Sequence, residues 1–125
     1  LKFICKDVSL KVQNTDTVFT KEYTGKQDGA KVSTISVAHA EGNYFVTDEE
    51  LKALNDNNQV AFKYVNEVGE EESDSNPNGS IANIAGIFNK NKNVMGMMPH
   101  PERHCDELLG STEGRIIFES LVGSI

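Results

Sequence analysis

Residues 93–103 read Asn-Val-Met-Gly-Met-Met-Pro-His-Pro-Glu-Arg, and the rest of the chain is organised around them. The apolar run Val94-Met95-Gly96-Met97-Met98 predicts a short buried strand. It ends in His100 and Glu102, each preceded by a proline. A proline fixes its own φ and biases the residue before it away from the helical region. Met98 and His100 are therefore expected in extended backbone, and Pro-His-Pro-Glu is expected to leave the strand as a stiff, extended arm. Residues two apart in extended chain point the same way. His100 and Glu102 can then lie side by side, with the carboxylate on one ring nitrogen and the other nitrogen free. That is the arrangement of a general base and the group that orients it. What it lacks is a nucleophile.

The residues upstream supply the frame. Residues 81–88 predict a strand through Ile81, Ile84, Ile87 and Phe88, and Asn89-Lys90-Asn91-Lys92 is a polar turn. Together with residues 94–98 they form a β-hairpin that delivers the arm at its far end. Alternating or β-branched patterns predict further strands at residues 1–5, 7–12, 31–38 and 59–65, with a strand resuming at 43–46. Residues 18–23 fit one helical turn or a short strand. Thr47, followed by Asp48, Glu49 and Glu50, has the capping-box spacing and predicts a helix with Leu51 and Leu54 on its apolar face. The acidic stretch 66–80 reads as a solvated loop. A short helix is expected over 103–109. A last helix over 113–122, capped by Ser111 or Thr112, is expected to pack Ile116, Ile117, Phe118, Leu121 and Val122 inward.

At 125 residues the chain suffices for one compact domain or one part of a domain. A net charge of −7 argues against binding a phosphate backbone, which needs clustered Lys and Arg. No apolar run approaches the roughly 18–20 residues that cross a membrane. No basic segment followed by an apolar one marks a leader. Two cysteines, Cys5 and Cys105, make no disulfide framework, and a reducing, cytoplasmic setting is expected. The chain opens at Leu1, already in strand-like sequence, so residues ahead of it are expected.

Five stretches extend the signal: Val-Ala-His-Ala-Glu-Gly-Asn-Tyr (37–44), Asn-Pro-Asn-Gly-Ser (76–80), Ile-Ala-Gly-Ile (84–87), residues 93–103, and Glu-Leu-Leu-Gly-Ser (107–111). In this order they resemble the class I (triad-type) glutamine amidotransferases, and among them the glutaminase subunits of phosphoribosylformylglycinamidine synthase. The resemblance runs the length of the chain but covers only the C-terminal half of that family's domain. It implies an α/β fold: the C-terminal half of a flavodoxin-like domain, a mixed sheet with antiparallel hairpins and flanking helices. It further implies a Cys-His-Glu triad in which His100 is the base and Glu102 orients it. The glutaminase would supply ammonia for the ATP-dependent conversion of formylglycinamide ribonucleotide to the amidine, a step of purine biosynthesis. Its expected partners are glutamine, the synthetase subunit and the N-terminal half of its own domain. No cofactor is expected on this chain, since ATP and magnesium are used by the synthetase.

The family carries its nucleophile on a Gly-x-Cys-x-Gly turn in the N-terminal half, and this sequence has no such turn. Cys5 stands in Phe-Ile-Cys-Lys and Cys105 in Arg-His-Cys-Asp. The chain alone is thus expected to be inactive, unless Cys105, five residues past His100, stands in. The alternative is a catalytically inert module that dimerises or docks on a synthetase. His39 and Glu41 are the candidate glutamine-binding residues, because the family's matching segment lines that pocket. Two departures weaken the match there: Ala40 stands in place of glycine and Ser36 in place of proline. A metal reading of His100, Glu102, His104 and Cys105 fails on geometry, because four donors within six residues, held by prolines, do not fold back on one ion.

Overall fold

A computed structural model describes residues 4–23, 32–39, 44–77, 79–104 and 113–123. Its framework is a five-stranded sheet in the order β2-β1-β3-β4-β5. The expected strands at 1–5 and 7–12 are one strand, β1 (Ile4–Val12), as far as the described residues show. It pairs antiparallel with β2 (Val32–His39), from Ile4 opposite His39 to Lys11 opposite Val32. On its other side it pairs with β3 (Val60–Val65), where Ser9 faces Val65 and Val12 faces Phe62. β4 (Ile84–Phe88) lies antiparallel on β3, with register shifts on either side of Phe62. β5 (Met95–Met97) completes the predicted hairpin on β4. Every pairing between these strands is antiparallel, so among the described residues the sheet is not the mixed one expected.

The irregular register at Phe62 matters because a bulge bends its strand and raises the local twist. The sheet curls enough that its outer strands nearly meet. An isolated antiparallel bridge joins Ser36 of β2 to His100, just past β5. The concave side buries Leu10, Val12, Ile35, Val37, Phe62 and Tyr64. At roughly 1.5–3 kcal/mol for each large side chain fully withdrawn from water, this layer is the main source of stability. Two further elements cover it. A 3-10 turn, Lys21–Tyr23, places the Tyr23 ring edge-on to Phe62 at 5.8 Å. Helix α2 (Arg115–Val122) inserts Ile117. Phe19 stacks on Phe88 at 6.1 Å.

Helix α1 (Asp48–Asp56) begins as predicted. The Glu50 amide donates to Thr47 Oγ1 at 3.2 Å, and the Thr47 amide donates to Glu50 Oε2 at 3.0 Å. No residue of α1 is fully buried, so its caps carry much of its stability.

Four local expectations need correction. Residues 44–46 form no strand. The Tyr44 amide donates to Ser80 Oγ (3.1 Å), its carbonyl accepts from Ile81 (2.9 Å), and Phe45 is exposed. The strand expected from Ile81 starts at Ile84, because Ile81–Asn83 is a 3-10 turn with Ala82 and Asn83 at positive φ (51° and 58°). The Pro-His-Pro-Glu arm is not extended throughout, since Pro101–His104 closes into a 3-10 turn. Finally, α2 starts at Arg115 behind Gly114, and its Phe118 and Val122 face outward, because eight residues offer one core-facing stripe rather than five inward positions. Residues 105–112, which hold most of the helix expected at 103–109 and the caps expected at Ser111 or Thr112, lie outside the described residues.

Candidate active site

The site grows from the end of the β4–β5 hairpin. Asn89 ties its turn, its side-chain oxygen accepting from the amides of Asn93 and Val94 at 3.0 Å each. The Met98 amide donates to the Ala85 carbonyl at 3.1 Å, so ladder-like bonding continues one residue beyond β5. Pro99 cannot donate. His100 then donates its amide to the Ser36 carbonyl at 2.7 Å, which fastens the arm to the far edge of the sheet. Ser36 is itself held, its hydroxyl donating to Asp7 Oδ1 at 3.0 Å. The position noted in the sequence only as a missing proline thus supplies the carbonyl that anchors His100. A bond between residues 64 apart leaves no local pattern by which to find it.

His100 Nδ1 and Glu102 Oε1 are 2.7 Å apart. The structure brings the two side chains together as expected, but by a different route: the 3-10 turn beginning at Pro101 carries Glu102 back toward the ring. Partial burial pushes the Glu102 carboxyl up. The hydrogen bond from His100, the residue's own backbone amide and the charges of His100 and Arg103 outweigh it, and the carboxyl is held below its ordinary value. An ionised carboxylate only accepts hydrogen bonds, so the contact places a proton on Nδ1 and leaves the Nε2 lone pair available. The histidine side chain is 34% exposed and can meet a reactant.

The second candidate pair stands differently. The His39 backbone closes β2 opposite Ile4, three residues along the strand that the arm joins, while its side chain and all of Glu41 lie outside the described residues. Cys105 lies there too. Cys5 sits within regular strand opposite Ala38, which is not the strand-to-helix turn of an activated nucleophile.

Asn76 and Asn83 act as a clamp ahead of β4. The Asn76 side-chain oxygen accepts from the amides of Gly79 (2.8 Å) and Ser80 (3.1 Å), and its nitrogen donates to Ser80 O (2.7 Å) and Asn83 Oδ1 (3.0 Å). Asn83 donates on to the carbonyls of Tyr64 and Glu72, both at 3.2 Å. These bonds hold the left-handed turn that launches β4. A groove of about 300 Å³ opens beside it, between Tyr44, Ser80, Gly86, Gly96, Met97 and Met98.

The chain is similar to known proteins along its whole length. Residues 1–116 match the CobB/CobQ-like glutamine amidotransferase domain. The chain is 46% identical, over all of its length, to phosphoribosylformylglycinamidine synthase subunit PurQ of Pelagibacter ubique, of which it covers 53%. It also superimposes on a chain of the PurLQS structure from Thermotoga maritima with a TM-score of 0.74 and 36% identity. That match covers 98% of this chain and 48% of the other. The chain therefore spans about half the length of the relatives it matches, and the α/β fold expected from its motifs is theirs. It belongs to the CobB/CobQ-like glutamine amidotransferase family.

Proposed function

We propose that this chain is the base-bearing half of a glutaminase that feeds ammonia to phosphoribosylformylglycinamidine synthase. The observation that carries the reading is the 2.7 Å contact between His100 Nδ1 and Glu102 Oε1, on an arm pinned to β2. The likeness to a PurQ subunit supports the choice of pathway.

In this reading His100 Nε2 takes the thiol proton of a cysteine from the N-terminal half of the domain, and the resulting thiolate attacks the side-chain amide carbon of glutamine. His100 gives a proton to the departing ammonia. It then takes one from the water that cleaves the thioester and releases glutamate, while Glu102 holds the ring and offsets the charge it gains. Ammonia passes to the synthetase, which consumes ATP with magnesium to form the amidine. This chain binds no cofactor of its own, and the complex works in the cytoplasm. His39 and Glu41 contribute to the glutamine pocket.

The test is complementation. This chain alone should release no ammonia from glutamine, because a base and its orienter without a nucleophile retain little catalysis. Supplied with the nucleophile-bearing half, it should. Release by the chain alone, abolished in Cys105→Ala, would show that the nucleophile lies within these residues and would sink the two-part reading.

A further inference from the structure

We propose that Gly114 is a positioning residue for the His100–Glu102 pair, its bare Cα forming the seat on which the Pro101 peptide rests. The proposal builds on the reading of those two side chains as the working pair. Backbone conformation does not call for glycine here. At φ −74° and ψ −14° any residue is comfortable. Capping does not call for it either, since Ser, Thr, Asp or Asn would cap α2 better, and Gly114 makes no side-chain cap.

Space does call for it. A Cβ built on Gly114 would overlap the Pro101 carbonyl oxygen and stand 2.9 Å from both its carbonyl carbon and its Cα. These are backbone atoms, so no side-chain rotation can relieve the contact. Either α2 or the arm must give way. α2 is held by buried Ile117 and by Ser120, whose hydroxyl accepts from the Glu22 amide at 3.0 Å and donates to the Ile116 carbonyl at 2.9 Å. His100 is held by its 2.7 Å bond to Ser36. The atoms in the way, the Pro101 carbonyl oxygen and carbon, belong to the Pro101–Glu102 peptide itself. The Pro101–Glu102 peptide is the part that yields, and the carboxylate is drawn off Nδ1. Gly123, at the other end of the same helix, provides a control. A Cβ there would stand 3.3 Å from the Glu119 carbonyl oxygen and 3.4 Å from the flexible Lys21 ammonium, away from the arm.

The experiment compares Gly114→Ala with Gly123→Ala in the intact polypeptide, nucleophile-bearing half included and synthetase present. Glutamine turnover is measured alongside the carbon-13 titration of the Glu102 carboxyl and the nitrogen-15 signal of His100 Nδ1. A misplacement near 1 Å costs roughly 10²-fold in rate. Gly114→Ala should lose about that in kcat with KM little changed, and its Glu102 carboxyl should titrate nearer the ordinary carboxylate range. Gly123→Ala should change neither. A folded Gly114→Ala protein with the Glu102 titration and Nδ1 signal of the parent overturns the proposal, whatever its rate. Should Gly114→Ala fail to fold, native-state hydrogen exchange on the parent decides instead. The His100 amide and the α2 amides should open together across a urea series, and independent opening overturns the proposal. A parent that hydrolyses no glutamine defeats the functional reading, while the two resonance measurements still decide the role of Gly114.

Discussion

Glu102→Gln keeps the shape of the side chain and removes its charge, which separates what the contact does for folding from what it does for chemistry. A 2.7 Å contact lies in the range of charge-assisted hydrogen bonds, worth about 1.5–3 kcal/mol where water is excluded. Here the side chains are 34% and 57% exposed, and solvent screening reduces the contribution to stability to about 1 kcal/mol or less. The rate should respond far more. An amide that turns its NH2 toward the ring makes Nδ1 the acceptor and moves the proton to Nε2, the nitrogen proposed to act as base. In serine proteases the corresponding carboxylate-to-amide change costs about 10⁴-fold, for a buried carboxylate. For this exposed pair the loss should be roughly 10²- to 10³-fold. The pH dependence has a definite sign. Because the folded-state pKa of Glu102 is depressed, its contribution is present above its unfolded value and lost as pH falls through the folded one. The parent should therefore hold its pairing to below the usual carboxylate range, and the variant should lack that acid limb. Ammonia release measured across pH in the protein with its nucleophile-bearing half, with urea unfolding of parent and variant, tests this. A variant within fivefold of the parent rate refutes the reasoning. So does a rate loss matched by a stability loss above about 2 kcal/mol, since Glu102 would then be structural.

Three further outcomes are expected. The Tyr64 hydroxyl is buried with no hydrogen-bond partner among the described residues, so Tyr64→Phe should raise unfolding stability by about 1 kcal/mol, and a urea midpoint that falls would contradict this. Thr47→Ala removes the capping box and should cost about 1 kcal/mol; amide exchange in α1 should speed up about fivefold, with the sheet unaffected. Ala82 stands at φ 51°, where a Cβ costs about 1–2 kcal/mol, and glycine there loses about 0.5–1 kcal/mol of that to unfolded-state freedom. Ala82→Gly should therefore raise the melting temperature slightly, and a drop would mean that the methyl makes a contact worth more than the strain.

What could be read in the chain before its structure was the set of features encoded locally. Alternation in Val60–Val65 and the Asn89–Lys92 turn are written within a few residues, and so is the Thr47/Glu50 cap. The Pro-His-Pro-Glu arm could be singled out for the same reason, since His100 and Glu102 lie within three residues. The features that could not be read depend on distant partners. Residues 44–46 have strand composition, but Ser80 and Ile81 take their backbone groups. Ile81 looks like strand, yet Asn83 spends its side chain on Tyr64 and Glu72 and holds the backbone left-handed. The closing bridge from Ser36 to His100 joins the two outer strands of a curled sheet, and nothing near either residue marks it. Gly114 has an ordinary helical conformation, and only the packing of Pro101 against it gives its identity a reason.

The most direct measurement is His100→Ala in the intact protein with the proposed synthetase partner, assayed twice: once with glutamine as the nitrogen source and once with an ammonium salt. The account predicts that glutamine-dependent synthesis falls by at least about 10³-fold while ammonium-dependent synthesis is retained. Glutamine-dependent synthesis that survives the substitution, or the loss of both activities together, would contradict the assignment of His100 as the base.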